Sequence, residues 1–235
     1  MNIYEGEIKK RIECFIEKLV GIEPQFEKQI DTYKLMPFLM KIKFVILLKS
    51  ILLLEINEMR QASSIIVRSL YEILIDFLYC ETDPKNLYSR FKEYASVSRV
   101  KMTELLNDDE KEGINMEDYT QITIPEYEKF KIKYNIIKDN QLYNWSGKKI
   151  GEKIMILKKE YNDIENLHKK IYKFNCTNSH LDSNQLIKST FKIKNNYWEL
   201  NYSDTTFKNG PLSVIVGISE VANIFLEIFE KKYNN

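Results

Sequence analysis

"VRSLYEILIDFLYC", residues 67–80, is an apolar run that carries charge at Arg68, Glu72 and Asp76. On a helix turning about 100° per residue, Ile66, Val67, Leu70, Tyr71, Ile73, Leu74, Ile75, Phe77 and Leu78 fill roughly 200° of circumference. Arg68, Ser69, Glu72 and Asp76 share the remaining arc with Ile65 and Tyr79. The stretch therefore reads as a helix buried on most sides, with one polar column. That column has two readings. It is a solvated strip closed by an i, i+4 Arg–Glu pair worth a few tenths of a kcal/mol, or a polar cleft in which Arg68 binds an anion or orients Glu72.

Working outward, most of the chain has the same helical periodicity. Residues 3–20 alternate charged and apolar positions and stop at "GIEP". "FLMKIKFVILLKSILLLEI" follows inside a helix from Met36 to about Met59. Lys41, Lys43, Lys49 and Glu55 interrupt it, and such charges are costly at a bilayer centre, so it reads as a buried helix and not a membrane span. "RQASS" makes a turn before the helix of residues 63–79. "ETDP" ends that helix, because Pro84 biases Asp83 out of the helical region. Residues 85–106 bring Leu87, Phe91, Tyr94 and Val97 to one face, and "IPEYEKFKIKYNII" reads as a fifth helix with Pro125 in its first turn. "YNWSGKKIGEK" reads as an ordered loop around Trp145. A long uninterrupted helix is expected from Glu152 to Ser179, and a last one over "GPLSVIVGISEVANIFLEIFEKKY". "TFKIKNNYWEL" has strand-like alternation around Asn195-Asn196 and leaves room for one small β-hairpin near residues 190–200.

The fold class expected is all-α: a bundle of about six helices, with residues 1–35 as an N-terminal helical extension and 36–235 as the bundle domain. Seven Gly and five Pro in 235 residues are few for a protein of many tight turns, which favours long helices. A chain of this length buries a sizeable core without disulfide or metal staples. The 35 basic and 34 acidic residues leave a net charge of +1, so bulk charge does not announce nucleic acid. Thirty of the basic residues are Lys, and the five Arg all lie in the first 100 residues. Cys14, Cys80 and Cys176 are widely spaced and read as buried free thiols of a reducing cytosol. The N-terminus is too charged for a signal peptide, so the expected location is cytoplasmic.

Both histidines fall late in the expected long helix. His168 shares a face with Leu157, Tyr161, Ile164, Ile171 and Asn175, and reads as a hydrogen-bonded core residue. His180 lies on another face with Lys169, Lys173 and Cys176. Lys173 and His180, two turns apart, project in nearly the same direction. A cation beside a titratable imidazole suits acid/base chemistry on a phosphodiester; a surface lysine with a capping histidine is the plainer reading. Walker, GxGxxG, HExxH and GxSxG motifs are missing. The Glu72/Asp76 pair has no His joining it, so neither metal nor cofactor is expected.

"RSLYEILIDFLY", "YSRFKEY", "WSGKKIGE" and "YKFNCTNSH" together resemble the bacterial domain-of-unknown-function family 5677 over roughly residues 40 to 230. The resemblance implies an R-x-x-x-E helix at Arg68 and Glu72, a W-x-G-K loop at Trp145, Gly147 and Lys148, and a later helix ending in Tyr172, Ser179 and His180. It implies no activity. A more distant resemblance is to the HEPN superfamily of helical bundles, many of them defence or toxin ribonucleases with an R-x4-6-H motif. His180 stands at the matching place and Asn175 at the polar position, but no Arg precedes His180 at that spacing. Lys173 supplies charge there without the planar fork of Arg.

Two classes of function follow. One is a metal-independent ribonuclease of a defence or stress system, with His180 as acid/base, Lys173 on phosphate, Asn175 orienting, and two chains pairing around one RNA cleft. The other is a module binding a ligand or partner protein, with Arg68, Glu72, Trp145, Lys148 and Tyr172 lining the pocket. Beside these two classes stands a purely structural bundle assembled with a partner chain.

Overall fold

The computed structural model describes residues 3–23, 32–56, 60–107, 111–112, 114–138, 144–173, 191–194, 197–200 and 212–233. Five long helices carry the architecture: α1 (Ile3–Gly21), α2 (Thr32–Ile56), α3 (Arg60–Glu81), α4 (Pro84–Leu105) and, closing the chain, α9 (Leu212–Tyr233). Between them lie shorter pieces. α5 (Met116–Asp118) runs through a π-helical turn, Tyr119–Thr123, into α6 (Ile124–Lys133). α7 (Ile150–Leu157) and α8 (Ile164–Leu167) follow, and α8 continues into a second π-helical segment, His168–Lys173. The all-α expectation stands, and the figure of about six helices undercounts the pieces. Strands β1 (Phe191–Lys194) and β2 (Tyr197–Leu200) pair antiparallel, Phe191 opposite Leu200, where the alternation suggested a hairpin.

The main correction concerns residues 152–179, expected as one helix. The helix stops at Leu157, and the chain tightens into i−3 bonds, from Lys159 N to Ile156 O (3.4 Å) and Glu160 N to Leu157 O (3.0 Å). "KKE" offers no apolar side chain to hold a further α-turn against the core. Residues beyond Lys173, Asn175, Ser179 and His180 among them, lie outside the described residues. The buried face survives the break: Leu157, Ile164 and Ile171 are all buried.

α3 is the central helix. Val67, Leu70, Tyr71, Leu74, Ile75, Phe77 and Leu78 are all buried, as the wheel predicts, whereas Ile66 and Ile73 are half-buried and Tyr79, expected on the polar arc, is buried under the Trp145 ring. α2 and α9 supply its aromatic neighbours. Phe225 stacks on Phe44 with ring centres 4.0 Å apart and meets Phe77 at 4.7 Å, while Phe229 takes Phe38 edge-on at 5.4 Å. Each such side chain contributes about 1.5–3 kcal/mol by leaving water. Ile12 and Leu19 of α1 belong to the same core. Cys80 is buried, but Cys14, expected buried, is exposed on the outward face of α1.

Two charges that interrupt the apolar run of α2 are themselves buried. Lys41 donates to the carbonyl of Ile22 at 2.5 Å, just past the end of α1, and sits over the rings of Phe38 and Phe229. Burial pushes its pKa down. Glu55 accepts from Ser63 Oγ, tying the end of α2 to the start of α3. Among the described residues, no helix is long and apolar enough to cross a membrane.

Candidate functional site

The polar column of α3 divides into two parts with different neighbours. At its upper end Arg68 Nε donates to Glu72 Oε1 at 3.0 Å, with the two side chains 28% and 44% exposed. This is a half-solvated i, i+4 pair. At the lower end Asp76 is gripped from two sides. Trp145 Nε1 donates to Asp76 Oδ2 at 2.8 Å, and Lys153 Nζ of α7 reaches Oδ1 at 2.5 Å. Lys153 is nearly all buried, its side chain 6% exposed against 26% for Asp76. Its ammonium also lies 4.9 Å from the Trp145 ring centre. The column thus answers the question posed by its own sequence: one end is an ion pair whose carboxylate, Glu72, is nearly half exposed, the other an ion pair whose cationic side chain, Lys153, is buried. Asp76, not Arg68 or Glu72, is the residue that receives Trp145.

The W-x-G-K loop is built to present that tryptophan. Asn144 Oδ1 accepts from the backbone N–H and the hydroxyl of Ser146 (3.0 and 2.9 Å), and its amide donates to Lys148 O at 2.9 Å. Lys148 N then donates to Ser146 Oγ at 3.2 Å. Gly147 turns the chain with φ +67°, a region L-residues avoid. A side chain there would also meet Arg90 Nη2 of α4 at 3.1 Å. Arg90 Nε donates to Trp145 O at 2.9 Å while its guanidinium lies 4.5 Å from the Tyr134 ring centre. Phe91 meets the Trp145 ring edge-on at 5.1 Å, and Tyr79 covers it at 5.9 Å. Trp145 is 6% exposed. Both its polar groups are bonded inside the protein, so the loop clamps α3, α4 and α7 together. Burial raises the pKa of the Tyr79 phenol and of the adjoining Cys80 thiol, which keeps both uncharged.

A second buried carboxylate, invisible in the sequence, ends α3. Glu81, its side chain 3% exposed, accepts from the hydroxyls of Tyr88 and Tyr233 (2.6 Å each) and from Lys232 Nζ (2.6 Å). It pins α4 and α9 to the C-terminal end of α3. Both phenols have raised pKa values, burial first and Glu81 second.

His168 behaves as the core reading expects: it is half-buried, with Nδ1 3.2 Å from the hydroxyl of fully buried Tyr71. It opens the π-helical segment whose backbone includes Tyr172 and Lys173. π-turns often accompany functional sites. Beside this segment an open groove of about 760 Å³ runs between residues 161–170 and α9. Tyr161, Ile164, Leu167, Ile224 and Ile228 give it an apolar lining, with Asn162, Asp163, Asn166, Asn223 and Glu227 as polar points, Asn223 Nδ2 donating to Glu227 Oε1. Its lysines are matched by acids, Lys169 to Glu165 at 3.2 Å and Lys170 to Glu220 at 3.5 Å. Among the described residues no group of three or more His, Cys, Asp or Glu could hold a metal.

The profile of the Family of unknown function (DUF5677) matches residues 35–196. The chain belongs to that family. No curated protein and no solved structure matches it. In this DUF5677 chain the motif residues divide by role: Trp145 and Gly147 hold the helices in place, Lys148 closes the loop through its backbone, and Arg68 and Glu72 remain half in water. Sequence reasoning missed Asp76 as the acceptor of Trp145, together with Lys153, Arg90 and Glu81. The available signal was Lys153 itself, a lone charge facing inward in "KIMIL".

Proposed function

We propose that this DUF5677 chain is a non-enzymatic binding module whose site is the groove between residues 161–170 and α9. The observation behind the reading is the contrast between the groove and the W-x-G-K loop. The polar groups of the loop are used up in holding the fold, whereas the groove is open. Its volume lies within the roughly 300–1,000 Å³ of small-ligand sites. Apolar side chains edged by asparagines and charged residues, Asp163 and Glu227 among them, suit a ligand with one apolar face and several hydrogen-bonding groups, such as a small molecule or a short amphipathic peptide. In this reading Lys148 belongs to the W-x-G-K loop, outside the groove, and Arg68 and Glu72 form a separate polar strip.

The test is a fragment screen by NMR on the full chain with isotope-labelled Ile and Leu methyls, using small aromatic and aliphatic probes. The expected result is shifts clustered on Ile164, Leu167, Ile224 and Ile228, lost in Ile224→Arg. Shifts scattered over the surface, or clustered around Trp145, would overturn the reading.

A second reading retains an enzyme: RNA cleavage by His180, with Lys173 on phosphate and Asn175 orienting, in a homodimer of a cytoplasmic defence or toxin system. The π-helical segment His168–Lys173 favours it, since it leads into those positions. Against it, Lys169 and Lys170 each face a carboxylate, and the chain carries a net charge of only +1. Phosphate binding needs cations in surplus.

A further inference from the structure

Among the described residues, α2 is packed on three sides and leaves aliphatic side chains exposed on the fourth. Leu39, Ile42, Ile46 and Leu53 are 45%, 52%, 49% and 62% exposed, although they sit in the most apolar of the five long helices. Their spacing is the point. Leu35, Leu39, Ile42, Ile46, Lys49 and Leu53 follow one another at alternating steps of four and three residues. That is an unbroken a/d heptad seam, with one charged position, Lys49, among aliphatic ones. A helix that merely faces water does not keep a 3.5-residue apolar repeat on its outer side, because the periodicity serves only a second helix lying along it. Isolated exposed aliphatics are ordinary; a contiguous row of this kind marks an interaction surface.

The charge on the row says what kind of helix fits. Lys49 lies at one edge of the exposed arc and Lys43 at the other, both exposed, and the arc carries no acidic residue. α2's one carboxylate, Glu55, is buried against Ser63. Pairing two copies of this face would bring four lysines together without a counter-charge, so the face does not complement itself. We propose that the outer face of α2 is a docking seam for an amphipathic helix of another protein, one with aliphatic residues on its inner face and Glu or Asp along both edges. The seam shares no residue with the groove of the proposed function, so the two readings stand or fall separately.

The experiment uses the full chain with two synthetic peptides of identical heptad core, one edged with Glu and one with Lys, followed by fluorescence anisotropy. Wild type should bind the Glu-edged peptide at least about tenfold more tightly than the Lys-edged one, and added salt should weaken that binding. Lys43→Glu/Lys49→Glu should reverse the preference, and Ile42→Asp or Ile46→Asp should abolish binding of either peptide. All these side chains are exposed, and thermal melts would show that the variants stay folded. Equal binding of the two peptides, or an unchanged preference in the charge-reversed variant, would overturn the proposal. So would concentration-dependent dimerisation of the wild type lost in Ile46→Asp, which assigns the seam to a second copy. Binding to anionic vesicles but to neither peptide would assign it to a membrane surface and equally refute the proposal.

Discussion

Replacing Asp76 by Ala removes the one carboxylate that the buried end of the α3 column provides. Lys153, whose side chain is 6% exposed, loses its ion-pair partner, and Trp145 Nε1 loses its acceptor. Breaking a buried pair from one side costs about 3–5 kcal/mol. Asp76 is 26% exposed, so water reaches the gap and the low end applies. An unmet indole N–H costs about 1–3 kcal/mol on its own, but the two losses share one site and do not add. The expected destabilisation is therefore about 3–4 kcal/mol, or roughly 6–16 °C in Tm for a chain of this size. Urea unfolding followed by Trp fluorescence measures it. The double variant Asp76→Leu/Lys153→Met removes both charges and should recover most of the loss, since a buried pair is replaceable by apolar packing at little net cost. A change below about 0.5 kcal/mol for Asp76→Ala, the size of an ordinary surface substitution, would refute the account of the clamp.

The upper end of the same column should respond differently: Glu72→Ala should cost under about 1 kcal/mol in the same assay, because Glu72 is 44% exposed and water reaches its pair with Arg68. Gly147→Ala should cost about 1–2 kcal/mol from the left-handed backbone alone, and its melt should be compared with Arg90→Ala, which frees the space the new methyl would enter. The fold should weaken in alkali. Tyr88 and Tyr233 have folded pKa values raised above the ordinary phenol value of about 10. Their contribution is complete below that pH and is lost as pH rises through the folded values. Lys41, with its pKa lowered, works in the opposite direction and adds stability as pH climbs towards its ordinary value. A pH series of urea melts should show the tyrosine loss dominating above about pH 10, and Tyr88→Phe/Tyr233→Phe should reduce it without abolishing it, since Tyr79, Tyr94, Tyr134, Tyr161 and Cys80 also have raised values.

The periodicity of α3 was enough to place its buried residues, because a helix that is apolar over most of its circumference has few ways to lie in a bundle. It also showed Arg68, Glu72 and Asp76 as one column. It could not rank the three, since rank depends on what covers them: Trp145 and Lys153 lie 69 and 77 residues away. The Glu81 cluster was out of reach for the same reason, with Tyr233 152 residues distant. The break after Leu157 escaped because no Gly or Pro marks it; there the core stops offering contacts, and helix propensity alone does not decide. The outer face of α2 was hidden by its richness. A run so apolar reads as buried all round, and only the structure separates Phe44 and Leu48, which are buried, from Ile42 and Ile46, which are not.

The claim that this DUF5677 chain binds and does not cleave meets its most direct test in one measurement. Purified wild-type protein is incubated with single-stranded and structured RNA in the presence of EDTA, beside His180→Ala, and the RNA is resolved on denaturing gels. The account predicts intact RNA in both samples over the whole time course. Cleavage by wild type that falls by about 10²-fold or more in His180→Ala, the scale of a lost general acid or base, would contradict it and put the catalytic reading in its place.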